Sequence, residues 1–176
     1  SVPLGHGDGT FLARTSHAVG IAPWCVAVGD LDGDGAPDLA VANRGPGTQA
    51  SSTVSVLTGD GDGGFGPQQT FATARWPDAV ALGDLDGDVR LDLAVADVSV
   101  SVLLGNGDGT FAPRAGVRGG ANPTDLALGD FDGDGRLDLA VANYDAHVVS
   151  VLPGNGDGTF GTRADHVMGG GPTAVA

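Results

Sequence analysis

The sequence predicts an all-β protein: an array of four-stranded antiparallel units repeated about three and a half times along 176 residues. Three observations carry that expectation. The first is a period, because the line G-x-G-D-G-[TG]-F ends at Phe11, Phe65, Phe111 and Phe160, in steps of 54, 46 and 49 residues. The second is the brevity of the apolar runs between turns, such as "CVAVG", "DLAVA" and "SVLTG", which suit strands and are too short for helices. The third is composition: all 22 acids are Asp, all eight basic residues are Arg, and there are 32 glycines. Good helix formers such as Glu and Lys are missing, whereas Asp and Gly belong to turns.

Each unit is expected to open with a strand, "VAVGD", "VALGD" or "LALGD", ending at Asp30, Asp84 or Asp130. An acidic loop then turns the chain into a second strand, "DLAVA", in all three units. The near-continuous apolar character of these two strands predicts burial on both faces. A loop follows whose length varies, from Asn43 to Ser55, Asp97 to Ser101 and Asn143 to Ser150. All variation in repeat length falls there, including the stretch "RGPGTQASST", and variable loops on a fixed scaffold are the expected binding surface. The third strand is "SVLTG", "SVLLG" or "SVLPG", and a glycine-rich hairpin leads to a fourth strand around each Phe and the residues after it.

Units of 46 to 54 residues with four strands are the size of the blades that radial repetition assembles into a β-propeller. The expected divisions are a partial blade at 1–22 holding strands three and four, blades at 23–76, 77–122 and 123–171, and the first strand of a further blade at 172–176. Fifteen strands would result. Incomplete blades at both ends suit a fragment of a longer propeller, half of a two-chain ring, or a subunit that self-associates end to end into filaments.

The acidic loops carry the strongest chemical signal. In "GDLDGDGAPDLAVAN", "GDLDGDVRLDLAVAD" and "GDFDGDGRLDLAVAN" carboxylates recur at loop positions 1, 3, 5 and 9. These are Asp30, Asp32, Asp34 and Asp38; Asp84, Asp86, Asp88 and Asp92; and Asp130, Asp132, Asp134 and Asp138. Four acids within nine residues repel one another unless a cation sits among them. Ca²⁺, which takes six to eight oxygens in a flexible shell, suits such a loop, with backbone carbonyls at position 7 (Ala36, Arg90, Arg136) joining the side chains. Three ions are expected, one per complete repeat. An EF-hand opens in the same way but needs a glutamate at position 12 and flanking helices. Position 12 here is Val41, Val95 or Val141, and the flanks are strand-like. The middle loop has Val89 where its neighbours have glycine, which predicts altered geometry or weaker binding there.

The paired D-x-D-G-D-G-x-x-D and G-x-G-D-G-T-F motifs, spread over the whole chain, resemble FG-GAP/VCBS repeats. These are the blades of the integrin alpha-chain head, of many secreted bacterial proteins and of some fungal lectins. The resemblance implies a propeller-type fold, calcium between the first and second strands of each blade, and an extracellular setting.

A formal charge of −14 argues against nucleic acid or an anionic membrane surface as partner. No stretch approaches the roughly 20 apolar residues of a membrane span. The single cysteine, Cys25, cannot form an internal disulfide and is expected as a small residue in strand one. The four histidines are scattered, and His6 occupies a hairpin slot held elsewhere by Asp60, Asn106 and Asn155. Every clustered acid belongs to a metal loop, so no pair remains for glycosidase chemistry and no enzyme is expected. The G-x-G-x-G turns are not dinucleotide loops, since no helix follows them. Trp24 and Trp76 are expected in packing between blades, with stacking on a sugar as the alternative. The expected function is therefore a secreted or cell-surface structural or adhesive module. Carbohydrate binding is the alternative, with an accessory propeller of a polysaccharide-degrading enzyme behind it, and the candidate ligands are a glycan or an extracellular protein.

Overall fold

Alternation of β-branched and small residues with glycine-rich turns gives twelve strands and no helix in the described residues of the computed structural model, which are 1–46 and 52–176. Residues 47–51, the middle of the long variable loop, lie outside them. The strands are β1 (Pro23–Gly29), β2 (Asp38–Asn43), β3 (Thr53–Leu57), β4 (Gln69–Ala72), β5 (Ala79–Gly83) and β6 (Asp92–Ala96). They continue as β7 (Val100–Leu103), β8 (Ala115–Val117), β9 (Pro123–Gly129), β10 (Asp138–Asn143), β11 (Val148–Leu152) and β12 (Ala164–Val167).

They form three four-stranded antiparallel sheets in simple meander order, β1–β4, β5–β8 and β9–β12. Register is the same in each: Leu39 faces Leu57, Leu93 faces Leu103 and Leu139 faces Leu152. The sheets pack face on face in succession without closing into a ring. One core, around Ala40, Ala42, Val54 and Val56 on one side and Val80, Leu93, Val95 and Leu103 on the other, joins the first two sheets. A second, around Ala94, Ala96, Val100 and Val102 against Leu126, Leu139, Val141 and Leu152, joins the last two. Alanines on one face admit the larger side chains of the next sheet, which is how neighbouring sheets approach closely.

Three expectations are revised. The second strand of each sheet is buried apart from half-buried Leu39, but β1 is not, and Val26 and Val28 are exposed. Among the described residues no sheet covers that side of the first sheet. The fourth strands begin later than expected: each Phe makes only an isolated bridge to the glycine opening its hairpin, and the ladder resumes at Gln69, Ala115 and Ala164. At the ends, residues 1–22 hold bridges at Val2–Thr15 and Gly5–Phe11 rather than strands, and 172–176 form none. The last segment is still docked, since the amide of Val175 donates to Asp125 and the hydroxyl of Thr124 donates to the carbonyl of Pro172.

Candidate metal loops

Each acidic loop leaves its sheet at a glycine that ends the first strand and returns at the Asp that opens the second. The turn is closed by the first carboxylate. Asp30 accepts from the amides of Gly33 and Gly35, and Asp130 from those of Gly133, Asp134 and Gly135. Asp84 does the same with Gly87, Asp88 and Val89. Val89 adopts φ 73° there, matching φ 87° at Gly35 and 84° at Gly135. The middle loop thus keeps the geometry of its neighbours and stores strain, because a β-branched residue is disfavoured at positive φ.

The ninth carboxylate is a strut. Asp38 is buried and accepts from Leu31 N–H and Gly59 N–H, both at 2.7 Å. Asp92 repeats this with Leu85 and Gly105, and Asp138 with Phe131 and Gly154. One side chain therefore fixes the start of the acidic loop to the start of the hairpin.

Positions 1, 3 and 9 come together in every loop. One carboxylate oxygen from each of Asp30, Asp32 and Asp38 lies within 4.8 Å of the others, and so do those of Asp84, Asp86 and Asp92 and of Asp130, Asp132 and Asp138. Position 5 stands outside these groups. Asp34, Asp88 and Asp134 accept instead from the amides of Ala36, Arg90 and Arg136, and the latter two acids also pair with the guanidinium two residues on. That pairing is available only where position 7 is Arg, a local competition that the acid spacing does not reveal.

The donor set fits a hard divalent cation. Among the described residues the grouped donors are all carboxylate oxygens with no His or Cys joining them, and the position-3 acids accept a single hydrogen bond, through Oδ1, from the position-5 amide. Crowding shows in the electrostatics. Loss of hydration, joined by the charges of Asp38, Asp34 and Asp30, raises the pKa of Asp32 above the ordinary carboxylate value. Burial, joined by Asp86 and Asp88, raises that of Asp92 against the opposing amides of Gly105 and Leu85. Asp130 moves the other way, held down chiefly by the Gly135 amide, with Gly133, Asp134 and the Arg136 charge adding to it.

The loops also meet the next sheet. Gly109 N–H donates to the carbonyl of Leu31 at 3.1 Å, and Gly158 N–H to that of Leu85 at 2.9 Å. Among the described residues the third loop has no such neighbour, and Phe131 is 54% exposed where Leu31 and Leu85 are 2% and 3% exposed.

Other singled-out residues fall into place around this frame. His6 is a hairpin residue whose amide donates to Thr10 O, as Asn106 does to Thr110 O. Cys25 packs partly buried against the first core. Trp24 and Trp76, expected between sheets, are exposed and lie under the guanidiniums of Arg44 and Arg75, 4.3 and 4.6 Å from the ring centres. Arg44 also pairs with Asp78, linking the first sheet to the approach of the second. No helix among the described residues is long and apolar enough to cross a membrane.

A sequence profile of the FG-GAP-like repeat matches residues 2–41, 30–95, 94–141 and 130–176, overlapping stretches that run along nearly the whole chain. No curated protein matches significantly. Among solved structures, an Agrocybe aegerita lectin that recognises non-reducing terminal N-acetylglucosamine is 25% identical, with a TM-score of 0.58 over 93% of this chain. The chain spans 45% of that lectin. The Photorhabdus luminescens Tc holotoxin pore is 19% identical with a TM-score of 0.49, over 81% of this chain and 7% of the toxin chain.

Proposed function

The chain belongs to the FG-GAP-like repeat family, and from that premise we propose that it is an extracellular, calcium-stabilised propeller-type module with a structural or adhesive role. The observation that carries this reading is the threefold recurrence of one carboxylate group at one place in the sheet. Asp30, Asp32 and Asp38, with their counterparts in the other loops, hold one Ca²⁺ each. Asp34, Asp88 and Asp134 and the carbonyls of Ala36, Arg90 and Arg136 complete the shells. Because each ninth acid also ties loop to hairpin, bound calcium relieves the repulsion among the acids and reinforces the blade, so that metal affinity becomes folding stability. The role is binding and support rather than catalysis. Limited proteolysis tests it: with calcium the chain resists cleavage, in EDTA it is cut within and around the acidic loops, and equal rates would sink the proposal.

The open faces support self-association. In register, Val26, Leu39 and Val41 of the first sheet stand where Val80, Leu93 and Val95 of the second pack on the alanine face before them. The exposed side of the first sheet therefore accepts another repeat of the same kind, from the same polypeptide or a second copy. Light scattering at micromolar protein with calcium checks for the second case.

The likeness to the lectin favours a second reading, carbohydrate binding, in which the repeats present a sugar site. A glycan array that stays silent at high protein concentration removes it.

A further inference from the structure

The three boundaries between successive units are built from one plan, and one of them differs. The segment that follows each hairpin Phe lays a side chain toward the hairpin Phe of the next unit. His17 meets Phe65 edge-on with ring centres 5.0 Å apart and 74° between planes. Phe71 meets Phe111 at 5.1 Å and 79°, and Phe111 is left 8% exposed. At the last boundary the facing residue is Val117, which pairs with Val100 in β7 as Phe71 pairs with Val54 in β3. Among the described residues Phe160 has no ring against it.

A neighbouring position on the same face shrinks as well. Ala115 stands where the first sheet has Gln69. These losses open a groove of about 660 Å³ between the second and third sheets, with Phe160 and buried Leu152 at its base. Its walls include two guanidiniums, Arg118 and Arg163. Arg163 is tied to Asp165 at 2.9 Å, whereas Arg118 makes no ion pair among the described residues. At the preceding boundary the position of Arg118 is held by Ala72.

We infer that this groove binds a carboxylated saccharide, with a sugar ring on Phe160 and its carboxylate on Arg118. The inference rests on the carbohydrate-binding reading and adds to it a site and a ligand class. The volume is within the range of small-molecule sites and suits one or two sugar rings. An aromatic face beside glycine backbone, at Gly116 and Gly161, lets a flat ring approach closely. A guanidinium free of acidic partners recognises a carboxylate through two parallel hydrogen bonds. The overall charge of −14 opposes any anion at long range, so selectivity comes from this short-range pairing.

The test is calorimetric titration of the calcium-loaded chain with trigalacturonate and, separately, with its neutral methyl ester. The acid binds at least tenfold more tightly than the ester, Arg118→Gln brings the two together, and Val117→Phe, which supplies the ring present at the preceding boundary, abolishes binding while the thermal unfolding temperature holds. Equal binding of acid and ester, or no binding of the acid, overturns the inference. So does binding that survives Val117→Phe but is lost in Asp132→Asn, since the ligand would then sit on a metal loop. Should neutral glycans bind elsewhere while trigalacturonate does not, the inference fails and the lectin reading stands; should no glycan bind, both fail.

Discussion

Asp38 accepts a 2.7 Å hydrogen bond from the amide of Gly59, which opens the hairpin after β3 at the same end of the sheet. The same bond joins Asp92 to Gly105 and Asp138 to Gly154. The last acid of each metal loop is therefore also the post that holds the hairpin, so the loop's charge and the blade's geometry cannot be varied independently.

This separates two kinds of acid within one loop. Asp92→Ala leaves the amides of Leu85 and Gly105 without their acceptor and costs about 2–6 kcal/mol even in EDTA, at roughly 1–3 kcal/mol per orphaned buried amide. Asp86→Ala removes only one of two acceptors of the exposed Asp88 amide, which keeps Asp84, so its stability in EDTA stays within about 0.5 kcal/mol of the parent while calcium affinity drops. Urea unfolding of both variants, with and without calcium, distinguishes them. Equal losses in EDTA would contradict the division.

Val89 is the strained point of the middle loop. It is 91% exposed at φ 73°, so its side chain gains little from packing. Val89→Gly relieves the strain, partly offset by the greater freedom of glycine in the unfolded chain, and stabilises by about 1 kcal/mol. Chemical denaturation in EDTA measures this, and a destabilised variant would contradict it.

Gly105 shows the opposite case. A Cβ there would overlap the backbone carbonyl oxygen of Leu91, and no flexible side chain could give way. Gly105→Ala is expected to cost about 3 kcal/mol or more, near the upper end for single substitutions. A thermal midpoint close to the parent's would show that the loop and hairpin approach less closely than described.

Acid sensitivity follows from the hairpins. Asp8, Asp108 and Asp157 are held below the ordinary carboxylate range, first by the hydroxyls of Thr10, Thr110 and Thr159 and then by the amides of the same residues. A carboxylate with a lowered folded pKa contributes stability above its unfolded value, and that contribution is lost as pH falls through the folded one. Replacing all three threonines by valine therefore moves acid unfolding to higher pH, and Thr110→Val raises the pKa of Asp108 in an NMR titration. An unmoved Asp108 titration would contradict the assignment.

Much of this fold could be read from residues alone because each repeat states it again. The "DLAVA" runs became β2, β6 and β10, and acids at positions 1, 3 and 9 came together. What escaped the sequence depended on partners. Position 5 looked identical to its fellows until Arg90 and Arg136 were seen to pair with Asp88 and Asp134. Trp24 and Trp76 looked like packing residues, yet cation contacts hold them at the surface. The open groove was invisible because Val117 is an ordinary strand residue. Only strand register shows that it stands where Phe71 closes the preceding boundary.

Calorimetric titration of the EDTA-stripped chain with Ca²⁺, followed by a thermal scan of the loaded protein, tests the central claim most directly. The account predicts three ions per chain and, at a hundredfold excess over the dissociation constant, about 2.7 kcal/mol of added stability per site, with a clear rise in the unfolding temperature. A chain that takes up no calcium, or unfolds at the same temperature with and without it, would contradict the account.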